Sequence, residues 1–173
     1  MKLSTKDIVM SGLFAAITAV LAQIIIPFPG VPFTMQVFAV TLAGVILGPK
    51  IGFLSQFIYV LVGAIGMPVF AGFGGGLSVI AGPTGGFIIT FPIMALLVGY
   101  VSYKFKGKAY IMISMVIAIT VNYIVGAGQY SLVANIGFIE AITVTCLPFV
   151  FADLIKVTCA TIVGITIRKR LNL

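Results

Sequence analysis

Asp153 and Lys156 stand one helical turn apart inside the apolar run 148–168. Placing either charge at the centre of a bilayer costs about 2.5–3.5 kcal/mol on insertion scales. On one helix face the two partly neutralise each other. One reading makes them a buried ion pair that fixes helix packing, which often stabilises no more than apolar side chains would. The other makes them a recognition element. In it the Lys156 ammonium meets an anionic or carbonyl group of a ligand, and the Asp153 carboxylate accepts from an N–H donor. Glu140 falls near an aqueous boundary, where a carboxylate is cheap, and reads as surface.

Most other chemistry is absent. The chain has no histidine and three carboxylates, so Ser–His and Cys–His pairs and paired-carboxylate hydrolysis drop out. A zinc site drops out as well. Cys146 and Cys159 lie roughly 20 Å apart if the segment between them is helical, too far for a disulfide. No Gly-x-x-x-x-Gly-Lys-Ser/Thr run occurs, and no dinucleotide fingerprint follows a strand. Uphill movement of a solute would therefore need ATP hydrolysis by another subunit, or an ion gradient acting through Asp153. No cofactor is expected.

The second unusual stretch is 63–87, which holds a large share of the chain's 20 glycines. Its glycines, with Pro68 and Pro83, forbid one continuous helix. Yet it stays apolar, and no charge occurs between Lys50 and Lys104. Irregular, greasy backbone at membrane depth is tolerated where it lies against protein or lines a cavity. It reads as one wall of a small-molecule site.

The elements that must position these residues are membrane helices. The chain is 61% hydrophobic and 8% charged, with a mean hydropathy of +1.29. A soluble protein of this size could not hide so much apolar surface. No segment alternates like a barrel strand, so helices must satisfy the backbone in lipid. The net charge of +7 does not indicate nucleic acid, because the basic residues fall at the ends of apolar runs. The N-terminal run resembles a signal peptide, but Asp7 in its basic region favours a first membrane helix.

The spacing predicts an all-α integral membrane protein forming a single domain over 1–173. Its six transmembrane helices are expected at about 8–26, 33–47, 51–65, 85–103, 109–125 and 148–168. A Gly/Pro-rich extracellular loop joins the third and fourth. Prolines 27, 29 and 32 end the first helix. A more polar connection containing Gln129, Tyr130, Ser131 and Asn135 follows the fifth, and 137–147 forms a short surface helix. Six spans place both termini on the cytoplasmic side, with Lys2, Lys6, Lys50, the 104–108 cluster and 168–170. Only Lys156 of the ten basic residues falls inside a span. It lies roughly 18 Å above the cytoplasmic edge and Asp153 about 22 Å, so both share the outer half with the glycine-rich loop.

Further candidates for the pocket are Gln36, Ser55, Gln56, Tyr59, Ser78, Thr84, Asn122, Tyr123, Gln129 and Asn135, with Phe70, Phe73 and Phe87 near the loop. Polar residues of this kind more often glue helices together. Asn122 stands out as a full amide in the outer half of the fifth helix. In the first helix Gly12, Ala15, Ala16, Ala19 and Ala22 form a small-residue stripe that lets another helix approach, inside the bundle or outside it.

The residues now resemble a known family. Gly66-x-Pro68-Val69-Phe70-Ala71-Gly72, then Gly75-Gly76, then Gly82-Pro83-Thr84-Gly85-Gly86-Phe87 closely resembles the signature of the BioY family. These are the biotin-binding S components of energy-coupling factor (ECF) transporters. Pro148-Phe149 followed by Asp153 and Lys156 is similar to that family's Pro-Phe…Asp-x-x-Lys segment. The resemblance implies a subunit of the bacterial plasma membrane that captures biotin. Its partners would be a transmembrane scaffold and two cytoplasmic ATPase subunits, with Ala15 and Ala19 of an alanine-rich first helix docking the scaffold. Asp153 and Lys156 carry over as ligand contacts, and the 72–86 region as pocket wall. The expected ligand-binding set is these two with Tyr59, Phe73, Gly75, Gly76, Ser78, Gly82, Thr84, Gly85, Phe87 and Asn122. Phe87 stands where the family often has Tyr. No basic residue before Lys104 is available for a ligand carboxylate, which leaves Lys156. The alternatives are an S component for another small vitamin, a solitary ion-coupled vitamin carrier, and a structural subunit without ligand.

Overall fold

A computed structural model describes residues 3–28, 30–105 and 107–170; Lys2 and Lys106 of the expected basic flanks lie outside them. The chain is mostly helical. Among the described residues, five helical stretches are long and apolar enough to cross a membrane: Thr5–Ala22, Gln36–Ala64, Gly85–Lys104, Lys108–Ala134 and Phe138–Arg170.

Helix α1 (Thr5–Ala22) opens on a capping box, in which the Ser4 hydroxyl accepts from the Asp7 N–H and the Asp7 carboxylate accepts from the Ser4 N–H. Asp7 is thus used by the backbone. The helix ends earlier than the expected 8–26, because Ile25–Ile26 (β1) leaves it to pair antiparallel with Phe33–Thr34 (β2). Pro27 and Pro32 lie between the two strands of this hairpin, and the next helix starts at Gln36 instead of 33.

Helix α2 (Gln36–Ala64) is broken at Gly48, whose φ of 76° and ψ of −176° no helix contains, with Pro49 after it. A Cβ on Gly52 would lie 3.2 Å from the Cα of Gly44. Eight residues of straight helix would span about 12 Å, so the two arms of α2 fold back on one another. Glycine at both crossing positions permits that approach. The break falls at the Gly-Pro-Lys boundary expected between the second and third helices.

The glycine-rich segment follows, with a 3₁₀ turn at Ala71–Phe73 and a short helix α3 (Leu77–Ala81). Helices α4 (Gly85–Ile89) and α5 (Phe91–Lys104) fill the place of the expected fourth helix. They are separated at Thr90, just ahead of Pro92, which cannot donate to the preceding turn. Helix α6 (Lys108–Ala134) runs past the expected 109–125 and stops at Asn135 in the left-handed region. The polar residues that suggest a connection are accommodated within the helix. The Gln129 amide donates to the carbonyls of Ile80 and Gly82, and the Ser131 hydroxyl donates to Ile136 O. Helix α7 (Phe138–Thr145) and α8 (Val150–Arg170) flank a 3₁₀ turn at Leu147–Phe149.

The core is built from Val40, Val45, Ile46, Met94, Val98, Met115 and Val157. Large aliphatic side chains such as Ile113, Ile117, Ile155 and Ile162 face outward, the pattern of a surface bathed in lipid. Among the described residues, no buried side-chain nitrogen or oxygen lacks a hydrogen-bond partner.

Candidate functional site

Helix α8 follows the Pro148 turn, and its first two turns carry Asp153 and Lys156 toward the interior, 4% and 6% exposed. The ammonium of Lys156 donates to Asp153 Oδ1 at 2.7 Å and to the carbonyl of Thr34 at 2.7 Å. It also lies 3.5 Å from the centre of the Phe33 ring, a cation–π contact. The second carboxylate oxygen, Oδ2, accepts from the hydroxyl of Tyr123 at 2.6 Å. Three elements therefore meet at the pair: α8, α6 and the β1–β2 hairpin.

The pair forms the polar corner of a cavity of about 260 Å³, just under the ~300–1,000 Å³ usual for small-molecule sites. Rings of Phe33, Phe70, Phe87, Phe91 and Phe149 supply its apolar walls, and Thr34, Gln36, Thr84, Asn122 and Thr145 add polar points. The Asn122 amide donates to Phe87 O at 2.8 Å and to Thr90 Oγ1 at 2.6 Å. Two glycines make room for the rings: a Cβ on Gly63 would strike the Phe70 ring, and one on Gly126 the Phe87 ring.

A relay of hydrogen bonds joins this corner to the glycine-rich roof. The Thr34 hydroxyl donates to Gln36 Oε1 at 2.9 Å, Gln36 Nε2 donates to Tyr59 Oη at 2.7 Å, and the Tyr59 hydroxyl donates to Val69 O at 3.0 Å. With a carboxylate, an ammonium, a primary amide and aromatic walls, the cavity suits a small amphiphile bearing N–H donors, a carbonyl and an apolar ring.

The structure brings together Asp153, Lys156, Asn122, Thr84 and Phe87 of the expected set. The others do not line the cavity. Tyr59 is buried behind Gln36 and Phe70, and Phe73 and Ser78 point outward. Gly75 and Gly85 are packed against the backbone of Met67 and Ile80. Gly76 takes a φ of 93° to start α3, and the Gly82 carbonyl accepts from Gln129. They shape the roof rather than line it. On α1, Ala15 is buried in the core and Ala19 is half-buried, whereas Gly12 and Ala16 are the exposed members of the stripe. Phe33, Thr34 and Phe91 line the cavity without having been singled out. Their position just after the proline run, or just before Pro92, is the only sequence signal they carry.

The comparisons with known proteins agree with one another. A family model described as the BioY family matches residues 1–173. A relative from Pyrococcus horikoshii described as a probable biotin transporter BioY is 43% identical over 162 residues, covering 94% of this chain and 96% of its own. The biotin transporter BioY of Thermotoga maritima is 38% identical, covering 95% of this chain and 96% of its own. A crystal structure described as the S component for biotin from an ECF-type ABC transporter superposes with a TM-score of 0.87. It has 26% identity and covers 97% of this chain and 95% of that one. Sequence signature, fold and relatives converge: this chain is a multi-pass membrane protein that belongs to the BioY family.

Proposed function

We propose that the protein is a substrate-capture subunit, not an enzyme, that binds biotin and presents it for ATP-driven uptake. The observation that carries this reading is the Asp153–Lys156–Tyr123 cluster at the corner of an aromatic cavity. Biotin offers a ureido group with two N–H donors and one carbonyl, an apolar ring and a carboxylate tail. The Asp153 carboxylate accepts from the ureido N–H groups, Lys156 meets a ligand oxygen, and the phenylalanine rings hold the apolar ring. Asn122, Thr84 and Phe87 complete the contact set, while Tyr59, Phe73, Gly75, Gly76, Ser78, Gly82 and Gly85 hold the roof in place. No cofactor is needed, because biotin is cargo.

In this reading the two arms of α2 each cross the bilayer. With α1, α4–α5, α6 and α8 they make six crossings of one membrane domain. Both termini then lie in the cytoplasm of the cell, and the glycine-rich segment closes the outer face. The basic flanks support that orientation. ATP hydrolysis falls to two cytoplasmic ATPase subunits joined through a transmembrane scaffold that docks on α1, on the face where Gly12 and Ala16 are exposed beside the inward-turned Ala15 and Ala19. Titration of biotin into purified protein in detergent tests the proposal. Saturable binding that Lys156→Ala abolishes supports it; binding of riboflavin or thiamine in its place overturns the substrate. Uptake driven by a proton gradient without ATPase subunits overturns the division of labour.

A further inference from the structure

One side chain on α1 fastens the roof of the cavity. Gln23, which ends that helix, donates through Nε2 to Phe70 O at 3.0 Å, with a longer contact to Val69 O at 3.4 Å and a bond back to Ala19 O at 3.1 Å. Its Oε1 accepts from the Phe73 N–H at 2.9 Å. The amide therefore reads the roof segment on both sides, as donor to two carbonyls and as acceptor from one N–H.

The geometry of the roof is arranged around these bonds. Gly72 and Phe73 have φ of 69° and 56°, and for a side-chain-bearing residue such as Phe73 the left-handed region is rare. Phe73 is 71% exposed, so burial does not hold it there, and Gln23 is the side chain that bonds its N–H. Between the carbonyls and the N–H that Gln23 grips, the chain places Ala71 beside the cavity, and Phe70, wholly buried, forms part of its wall. Tyr59 also donates to Val69 O, so removing Gln23 loosens the segment without unfolding it.

We propose that Gln23 is a positioning residue that latches the segment 69–73 over the cavity and so sets how long a ligand is retained. This rests on the reading of the cavity as a biotin site. Loss of the bonds to two carbonyls speeds biotin release about tenfold, the effect of one typical net hydrogen bond. Entry changes little, because affinity differences within one site reside mostly in the dissociation rate.

The test measures two things in the full chain in detergent: hydrogen exchange of the Phe73 amide without ligand, and stopped-flow association and dissociation of biotin. Gln23→Leu is expected to accelerate Phe73 exchange and to raise the dissociation rate, with helix amides and the association rate unchanged. Gln23→Glu keeps the acceptor but loses the donors. It is expected to leave Phe73 protected while still speeding release, which serves also if the leucine variant does not fold. Dissociation at the wild-type rate in either variant overturns the latch, as does accelerated exchange throughout the bundle. If the wild-type protein fails to bind biotin, the proposed function falls, and unaccelerated Phe73 exchange in Gln23→Leu overturns the latch independently.

Discussion

At the scale of the residue, the site depends on two charges that are satisfied only by each other and by their immediate neighbours. Lys156 donates to Asp153 and Thr34, and Tyr123 takes the second carboxylate oxygen. Removing one member of such a pair leaves the other buried and uncompensated, at about 3–5 kcal/mol. Lys156→Met should therefore destabilise the protein by that order in denaturant unfolding in detergent. The double variant Asp153→Leu/Lys156→Met should recover most of the loss. Tyr123→Phe deletes one hydrogen bond to a charged group and should cost about 1.5–3 kcal/mol by the same measurement. The pair itself is legible in the sequence, because charges inside an apolar run announce themselves. Its partners are not. Tyr123 reaches Asp153 from α6, and Thr34 offers a backbone carbonyl, which no residue type reveals.

At the scale of the element, glycine decides where chains cross. Gly48 combines a φ of 76° with a Tyr103 ring that would lie 2.8 Å from an added Cβ. Gly66 has a φ of 106° but open space around it. Alanine at Gly66 should cost about 1–2 kcal/mol from the backbone alone, and Gly48→Ala distinctly more, in paired thermal-unfolding curves. Gly63→Val should displace the Phe70 ring into the cavity and weaken ligand binding more than it lowers stability, as calorimetry beside unfolding would show. The Gly48–Pro49 break could be read from the sequence because both residues forbid helix continuation. The continuation of α6 through Gln129 could not. Its polarity looks like a connection until the carbonyls of Ile80 and Gly82 supply the partners. The β1–β2 hairpin was hidden for a similar reason: its two-residue strands are too short to show any periodicity.

At the scale of the whole molecule, the two oddities of the sequence, a charged pair and a glycine-rich apolar stretch, meet at one cavity through the bends of α2 and the turn before α8. Depth arithmetic along the helices anticipated that meeting, whereas which loop residues turn inward depended on backbone angles that composition does not specify. The proposed orientation predicts that reporters fused to either terminus are active only in the cytoplasm; activity of one of them outside would remove a crossing. The most direct test of the account is equilibrium binding of biotin to the purified protein, wild type beside Lys156→Ala, each shown to be folded. The account predicts saturable binding with one site per chain in the wild type and its loss in the variant. Equal binding by the two proteins, or none by the wild type, would contradict it.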